Sequence, residues 1–147
     1  MHFNAGLSAT YLARRDTQPF SGGATTRGAG QLVDNSLAFP HWRGIAHVEA
    51  RRATWHISYS LQVIGPYTGC GDGGNYLADS DCYGIAPRLY HDVEGGLVLR
   101  GGVELRAGIT NLTDKVPPFV NTADGNTEVA TYRLLGRSYF AGIRYRF

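Results

Sequence analysis

The chain ends in Ser138-Tyr139-Phe140-Ala141-Gly142-Ile143-Arg144-Tyr145-Arg146-Phe147, and this stretch decides the fold. Every second residue from Tyr139 to Phe147 is apolar or aromatic, whereas the opposite parity carries Arg144 and Arg146. This alternation predicts a β-strand with one apolar and one mostly polar face. Arginines are costly to bury in a dry core but not beside water. Aromatic residues flanking an apolar band are typical of a strand that crosses a membrane, which takes about 9–11 residues. An ordinary edge strand at the end of a chain shows the same alternation.

Length and composition are those of one folded domain. The chain has 147 residues, of which 43% are hydrophobic and 18% charged, and its net charge is +2. Because basic and acidic residues nearly balance, the charge gives no indication of a nucleic-acid partner. We expect no signal peptide, because residues 1–20 lack a basic start followed by an apolar run. We also expect no transmembrane helix, because no apolar run is long enough.

Five further segments alternate like the last one, and they span residues 2–14, 40–50, 55–63, 89–99 and 103–110. With the C-terminal segment, six strands are predicted. Long connections at 15–38, 65–87 and 111–136 separate them, and tight turns are predicted at Arg51-Arg52 and Arg100-Gly101-Gly102. Short turns on one side and long loops on the other are typical of outer-membrane barrels. The sequence therefore predicts an all-β, antiparallel, up-and-down transmembrane sheet. On its apolar parity, Trp42, Trp55, Tyr59 and Tyr139 are predicted membrane-interface aromatics.

Several motifs resemble the C-terminal β-barrel segment of TonB-dependent outer-membrane receptors. Residues 108–118, Gly-Ile-Thr-Asn-Leu-Thr-Asp-Lys-Val-Pro-Pro, are similar to a Gly-Val-x-Asn-Leu-Phe-Asp-Lys-x-Pro-Pro segment of that family, with Thr113 in place of phenylalanine. Residues 132–140, Tyr-Arg-Leu-Leu-Gly-Arg-Ser-Tyr-Phe, resemble the family's approach to its last strand, and Pro-His-Trp-Arg at 40–43 and Gly-Pro-Tyr at 65–67 match earlier landmarks. The motifs occur in the family's order over residues 38–147.

The chain end also resembles the C-terminal signal by which bacterial outer-membrane barrels are assembled. Gly142, Tyr145 and Phe147 stand at the spacing of that signal, although Phe140 occupies a position where a polar residue is usual. The resemblance implies a partial barrel, a fragment of a barrel of about 22 strands. We expect residues 1–147 to be the C-terminal part of such a receptor, without plug or signal peptide, and inactive alone.

The resemblance also implies a location and partners. We expect the chain in the bacterial cell outer membrane, in contact with lipid, with the rest of the receptor barrel and plug, and with the barrel-assembly machinery. The TonB system would act through the plug, and the receptor would take up a siderophore, cobalamin or an oligosaccharide. Residues that bind the ligand are not identified, and no cofactor is predicted.

Cys70 and Cys82 are the two cysteines, and both fall in the second long connection. The bacterial periplasm and cell surface permit disulfides, and closing a loop of about a dozen residues stabilises a fold by roughly 3 kcal/mol in the chain-entropy model. We therefore predict a Cys70–Cys82 disulfide. A zinc site is the alternative, but no histidine lies in that connection.

No catalytic or metal site is predicted. His91 and Asp92 are adjacent in a strand and must point to opposite faces, which prevents them from forming a dyad. His47, His56 and Asp92 share the polar parity, and the sequence leaves open whether they meet. The competing hypothesis for the whole chain is a soluble, secreted β-sandwich that binds a ligand and is stapled by the disulfide. A small hydrolase on a β scaffold is a third, but it has no recognisable motif here.

Overall fold

The computed structural model describes residues 1–33, 37–70, 82–120 and 126–145, with the side chain of Cys70 excluded. The described residues form an all-β structure, in which the strands are, in chain order, β1 (His2–Tyr11), β2 (Asp16–Thr17), β3 (Thr26–Arg27), β4 (Gln31–Val33), β5 (Leu37–Phe39), β6 (Trp42–Arg52), β7 (Trp55–Ile64), β8 (Tyr67–Cys70), β9 (Cys82–Ile85), β10 (Arg88–Val98), β11 (Val103–Thr110) and β12 (Ser138–Tyr145). Within the described ranges, no helix is long and apolar enough to cross a membrane.

The main sheet contains six strands in the order β1-β6-β7-β10-β11-β12, and every neighbouring pair is antiparallel. These are the six strands that the alternation predicts, and the up-and-down order is confirmed. In the part of the chain that the structure describes, the sheet does not close, and β1 and β12 form its edges.

The two tight turns lie at one end of the sheet, which we call the turn end. The glycine turn is confirmed, since Gly101 and Gly102 both have φ of 80°, a conformation that costs glycine little. The predicted turn at Arg51-Arg52 is wrong by two residues. Both arginines belong to β6, and the chain turns at Ala53 and Thr54.

The first two long connections are not the irregular loops that the sequence predicts. They contain β2 and β3, which pair with each other, and a small sheet in the order β5-β4-β8-β9. In the small sheet β4 and β8 are parallel, through Gln31 and Thr68. Strands of two to four residues are too short to show a periodic pattern, and for that reason sequence alternation missed them.

The hydrophobic core lies where the long connections meet the main sheet, which we call the loop end. It consists of Leu32, Ala38, Ile64, Tyr67, Ile85, Tyr90, Val120 and Tyr132. Ile64 and Tyr90 come from the main sheet, and both lie on its polar parity. The connections therefore pack over one end of the polar side and leave the apolar parity uncovered.

The backbone register of the small sheet places Cys70 opposite Cys82, and Cys82 takes part in a disulfide. This is the register that the predicted Cys70–Cys82 bridge requires. Arg146 and Phe147 lie outside the described residues, as does 71–81 of the connection between the two cysteines.

Candidate functional site

One side of the main sheet is a continuous apolar face, made by the register of all six strands. Its central row runs through Ala5, Val48, Tyr59, Val93, Ile109 and Tyr139, each opposite the next. The next row toward the turn end runs through Phe3, Ala50, Ile57, Gly95, Ala107 and Ala141. Alternation in single strands thus adds up to one surface, because a shift of one residue in any pair would have mixed the faces.

The apolar face is exposed. Phe3, Leu7 and Ile143 have 72%, 80% and 78% of their surface accessible. In the six strands the buried residues are Ile64, Tyr90 and Gly96, and all three lie on the polar parity. A soluble sheet buries its apolar side, so this arrangement is inverted.

Aromatic side chains stand at both ends of the apolar face. Tyr11 and Trp42 face each other at the loop end, with ring centroids 4.6 Å apart. At the turn end are Trp55, the first residue of β7, and Tyr145, the last residue of β12. The predicted interface residue Tyr139 lies near the loop end of β12, whereas Tyr59 lies in the middle of β7.

Tyr59 has a local partner on the apolar face. Its hydroxyl lies 2.7 Å from Nδ1 of His91, one strand away. A polar ring on an apolar surface costs less when it is hydrogen-bonded, and this contact therefore satisfies the Tyr59 hydroxyl and one ring nitrogen of His91.

A shallow groove crosses the apolar face near the turn end. It has a volume of about 1100 Å³, and its lining includes the small residues Gly95, Ala107 and Ala141 and the larger Ile57 and Leu105. The groove is open along the sheet, and apolar chains are the kind of group that fits it.

The opposite side of the sheet, the polar face, carries charges in cross-strand positions. Glu104 lies opposite Arg144 with 3.7 Å between their charged atoms, and Arg106 lies 3.9 Å from Glu94. All of these groups remain partly exposed, and exposed pairs contribute little to stability. They indicate instead a side of the sheet in contact with water.

Two rings on the polar face cover glycines on the neighbouring strand. Phe140 lies over its register partner Gly108, and His56 lies over its partner Gly96. A Cβ at Gly108 would come within 2.5 Å of Phe140 Cε1 and 2.8 Å of the Val93 carbonyl oxygen. Phe140, which departs from the usual polar residue of the assembly signal, therefore has a packing role that sequence reasoning missed.

A polar network ties the third connection to the polar face. The Arg133 guanidinium donates from Nη1 to both oxygens of Asp92, at 2.7 and 2.9 Å, and from Nε to Gln62 at 3.0 Å. The backbone N–H of Asn111 donates to the same carboxylate at 2.8 Å. Charge-assisted hydrogen bonds are among the strongest in proteins, so this network positions the loop over β7 and β10.

The segment after β11 is a tight turn whose residue types follow from its geometry. Asn111 and Asp114 both have φ of 52°, a left-handed conformation in which asparagine and aspartate are enriched. Buried Asn111 donates from Nδ2 to Lys115 O and accepts from Lys115 N–H, both at 2.9 Å. Asp114 accepts from the backbone N–H of Arg137 at 2.7 Å. The Asn-Leu-x-Asp-Lys pattern therefore encodes a turn that anchors the chain before β12.

The loop-end core contains buried polar groups. Glu128 is 2% exposed, and one of its oxygens accepts from the backbone N–H of Ala130 at 3.2 Å. Tyr67 and Tyr132 stack beside each other, and burial raises the pKa of both phenols above their ordinary value. Both phenols therefore ionise less readily than an exposed tyrosine does.

The polar-parity candidates for a metal or catalytic site do not form one cluster. His47 and Asp92 lie in one row with Ser60 between them, whereas His56 is in a different row, opposite Gly96. His91 is bonded to Tyr59 on the apolar face and Asp92 to Arg133 on the polar face, as their adjacency predicts. No group of three or more metal-ligating side chains occurs in the described part of the chain.

The predicted assembly residues are placed in part. Gly142 lies in the exposed edge strand β12, and a Cβ there would meet nothing within 4 Å. Tyr145 ends β12 on the apolar face, and Phe147 lies outside the described residues.

Comparisons of the chain with known protein families, with curated proteins and with solved structures find no match.

Proposed function

We propose that the chain is a membrane-embedded β-sheet, the C-terminal part of a receptor resembling the TonB-dependent receptors of the bacterial outer membrane. One observation carries the proposal: the described residues leave the apolar face of all six strands uncovered and bury residues of the polar parity instead. Lipid is a partner that such a face can contact, with the polar face toward a water-filled interior.

The ends of the apolar face fit the same proposal. Tyr11 and Trp42 at the loop end and Trp55 and Tyr145 at the turn end would lie at the two headgroup levels, where amphipathic rings are favourable. The long connections would then be outside the cell and the tight turns in the periplasm, as in outer-membrane barrels.

The edges of the sheet support a partial barrel. All residues of β1 and β12 are exposed, and their outer backbone groups have no strand beside them in the described structure. Unpaired backbone groups are very costly in lipid, so further strands would have to close the sheet, from the rest of the receptor in the cell or from a second copy of this chain in vesicles. We infer that this chain contributes to energy-coupled uptake of a siderophore, cobalamin or oligosaccharide only together with the rest of such a receptor, and that it is no enzyme.

Tryptophan fluorescence in lipid vesicles tests the membrane proposal. Trp42 and Trp55 both lie on the apolar face, at opposite ends. We expect lipids brominated near the headgroup to quench both strongly after refolding into vesicles, and single-tryptophan variants to report each end separately. A protein that stays monomeric and folded in buffer without detergent, with tryptophans insensitive to brominated lipid, would instead support the soluble β-sandwich.

A further inference from the structure

A cavity of about 380 Å³ at the loop end is lined by Arg14, Arg15, Arg27 and His41, with Asp16 as its acidic residue. It lies between the β2–β3 ribbon and the end of the first main strand. Three arginines against one aspartate leave a charge of +2 when the histidine is neutral. We propose that this cavity binds a phosphate monoester group, whose charge of about −1.5 to −2 matches that excess.

Among the residues that the structure describes, two of the three guanidinium groups have no carboxylate partner. Asp16 pairs with Arg14, whose Nε donates to the carboxylate at 2.6 Å and whose Nη2 forms an ion pair with it. Arg27 lies opposite Asp16 in the ribbon, yet no ion pair or hydrogen bond of its side chain occurs among the described residues. Guanidinium groups bind phosphate through paired N–H donors, and no described acidic group occupies those of Arg15 and Arg27.

The cavity is held in place by its surroundings. The guanidinium carbon of Arg15 lies 3.8 Å from the centre of the Phe39 ring, and its backbone carbonyl accepts from Gly28 N–H at 2.6 Å. His41 and Leu12 exchange two bonds at 2.8 Å, from Leu12 N–H to His41 O and between His41 Nδ1 and Leu12 O. Arg15 and His41 are therefore held before binding, which reduces the entropy lost when a ligand arrives.

The position of the cavity favours a lipid as the source of the phosphate. The ring of His41, which lines the cavity, stacks on Tyr11 with centroids 5.8 Å apart, and Tyr11 contacts Trp42 at the aromatic end of the apolar face. In the proposed membrane orientation the cavity is therefore at headgroup level, where basic side chains attract anionic lipids. A soluble phosphate monoester would use the same donors.

Two binding measurements on the full chain separate these sources. In neutral detergent, calorimetry measures the affinity of the anion site for inorganic phosphate, whether or not the sheet enters a bilayer. Flotation with phosphatidylcholine vesicles, with and without phosphatidic acid, reads the lipid source. We expect Arg27→Gln to weaken both at least tenfold, while Arg100→Gln, which removes the same charge from the glycine turn at the other end, changes neither.

Every outcome decides the proposal. Phosphate binding without a preference for phosphatidic acid supports the site with a soluble ligand, and a preference for phosphatidic acid supports it with a lipid. Equal weakening by the two variants, or no binding in either measurement, overturns it. If the first variant does not fold, Arg14→Gln at an exposed position is the second, and it should also weaken both, because it removes a positive charge and leaves Asp16 without its partner. Failure of membrane insertion leaves the calorimetric result readable, so the two proposals fail separately.

Discussion

Placing an arginine on the middle of the apolar face tests the membrane proposal most directly. Val48 lies in the central row and is 47% exposed. It stands six residues after Trp42 and four before Arg52 in β6. At about 3.3 Å per residue these separations are roughly 20 and 13 Å along the strand, or about 14 and 9 Å of depth for a strand tilted by about 45°.

Val48 is therefore close to the middle of an apolar band about 25 Å tall. An arginine at that depth on the lipid side costs about 2–4 kcal/mol, which lowers the folding equilibrium constant roughly 30- to 1000-fold. We expect Val48→Arg to fold into phospholipid vesicles with a loss of this size in the free energy of unfolding. Urea titration read by tryptophan fluorescence, with heat-modifiable gel mobility as a second probe, gives that free energy.

His47→Arg is the matched control, because His47 precedes Val48 at the same depth on the polar face. An added charge beside water should change the free energy of unfolding by no more than about 0.5 kcal/mol. If the two variants lose stability equally, or if Val48→Arg folds into vesicles as well as the unchanged chain, the assignment of lipid to the apolar face is wrong.

Three further outcomes are expected. Gly108→Ala should lower the free energy of unfolding by about 1–3 kcal/mol through overpacking, because its Cβ would meet both a ring and a backbone carbonyl. Gly142→Ala, whose Cβ would meet nothing within 4 Å, should leave that free energy unchanged, and urea unfolding of the two variants measures the difference. Asp92→Asn should lower the free energy of unfolding by roughly 1–2 kcal/mol, because charge-assisted bonds become neutral ones, and limited proteolysis should cut the third connection faster. Glu94→Gln, in an exposed pair at 3.9 Å, should have neither effect. Burial raises the pKa of Tyr67 above the unfolded value of about 10. This group therefore contributes to stability below that pH, and the contribution is lost as the pH rises further. Ultraviolet absorbance of tyrosinate should show this phenol ionising only when the loop end opens, and ionisation together with the exposed tyrosines would contradict its burial.

The candidate membrane surface was largely readable from the sequence, and the polar network was not. Alternation assigned Val48 and Tyr59 to one face before any pairing was known, and the register then placed them opposite each other. By contrast, Arg133 reaches Asp92 across 41 positions of the chain. Its segment has no period, so no local signal connects the two residues. The basic cavity is similar, since Arg27 comes near Arg14 only through the β2–β3 pairing.

By itself the sequence determined the six long strands, their antiparallel order and the division of their side chains between two faces. The strands and their faces follow from alternation every two residues, and a turn as short as the one at Gly101 joins only antiparallel neighbours. For the pairs joined by long connections, the order was predicted from the alternation of short and long connections that is typical of outer-membrane barrels. Only the tertiary structure decided that the long connections build a core on the polar parity, around Ile64 and Tyr90, and leave the other parity bare. That choice depends on contacts between distant segments, whose gain must exceed the entropy of closing long loops, and short, aperiodic segments carry no sequence pattern that reveals such a balance.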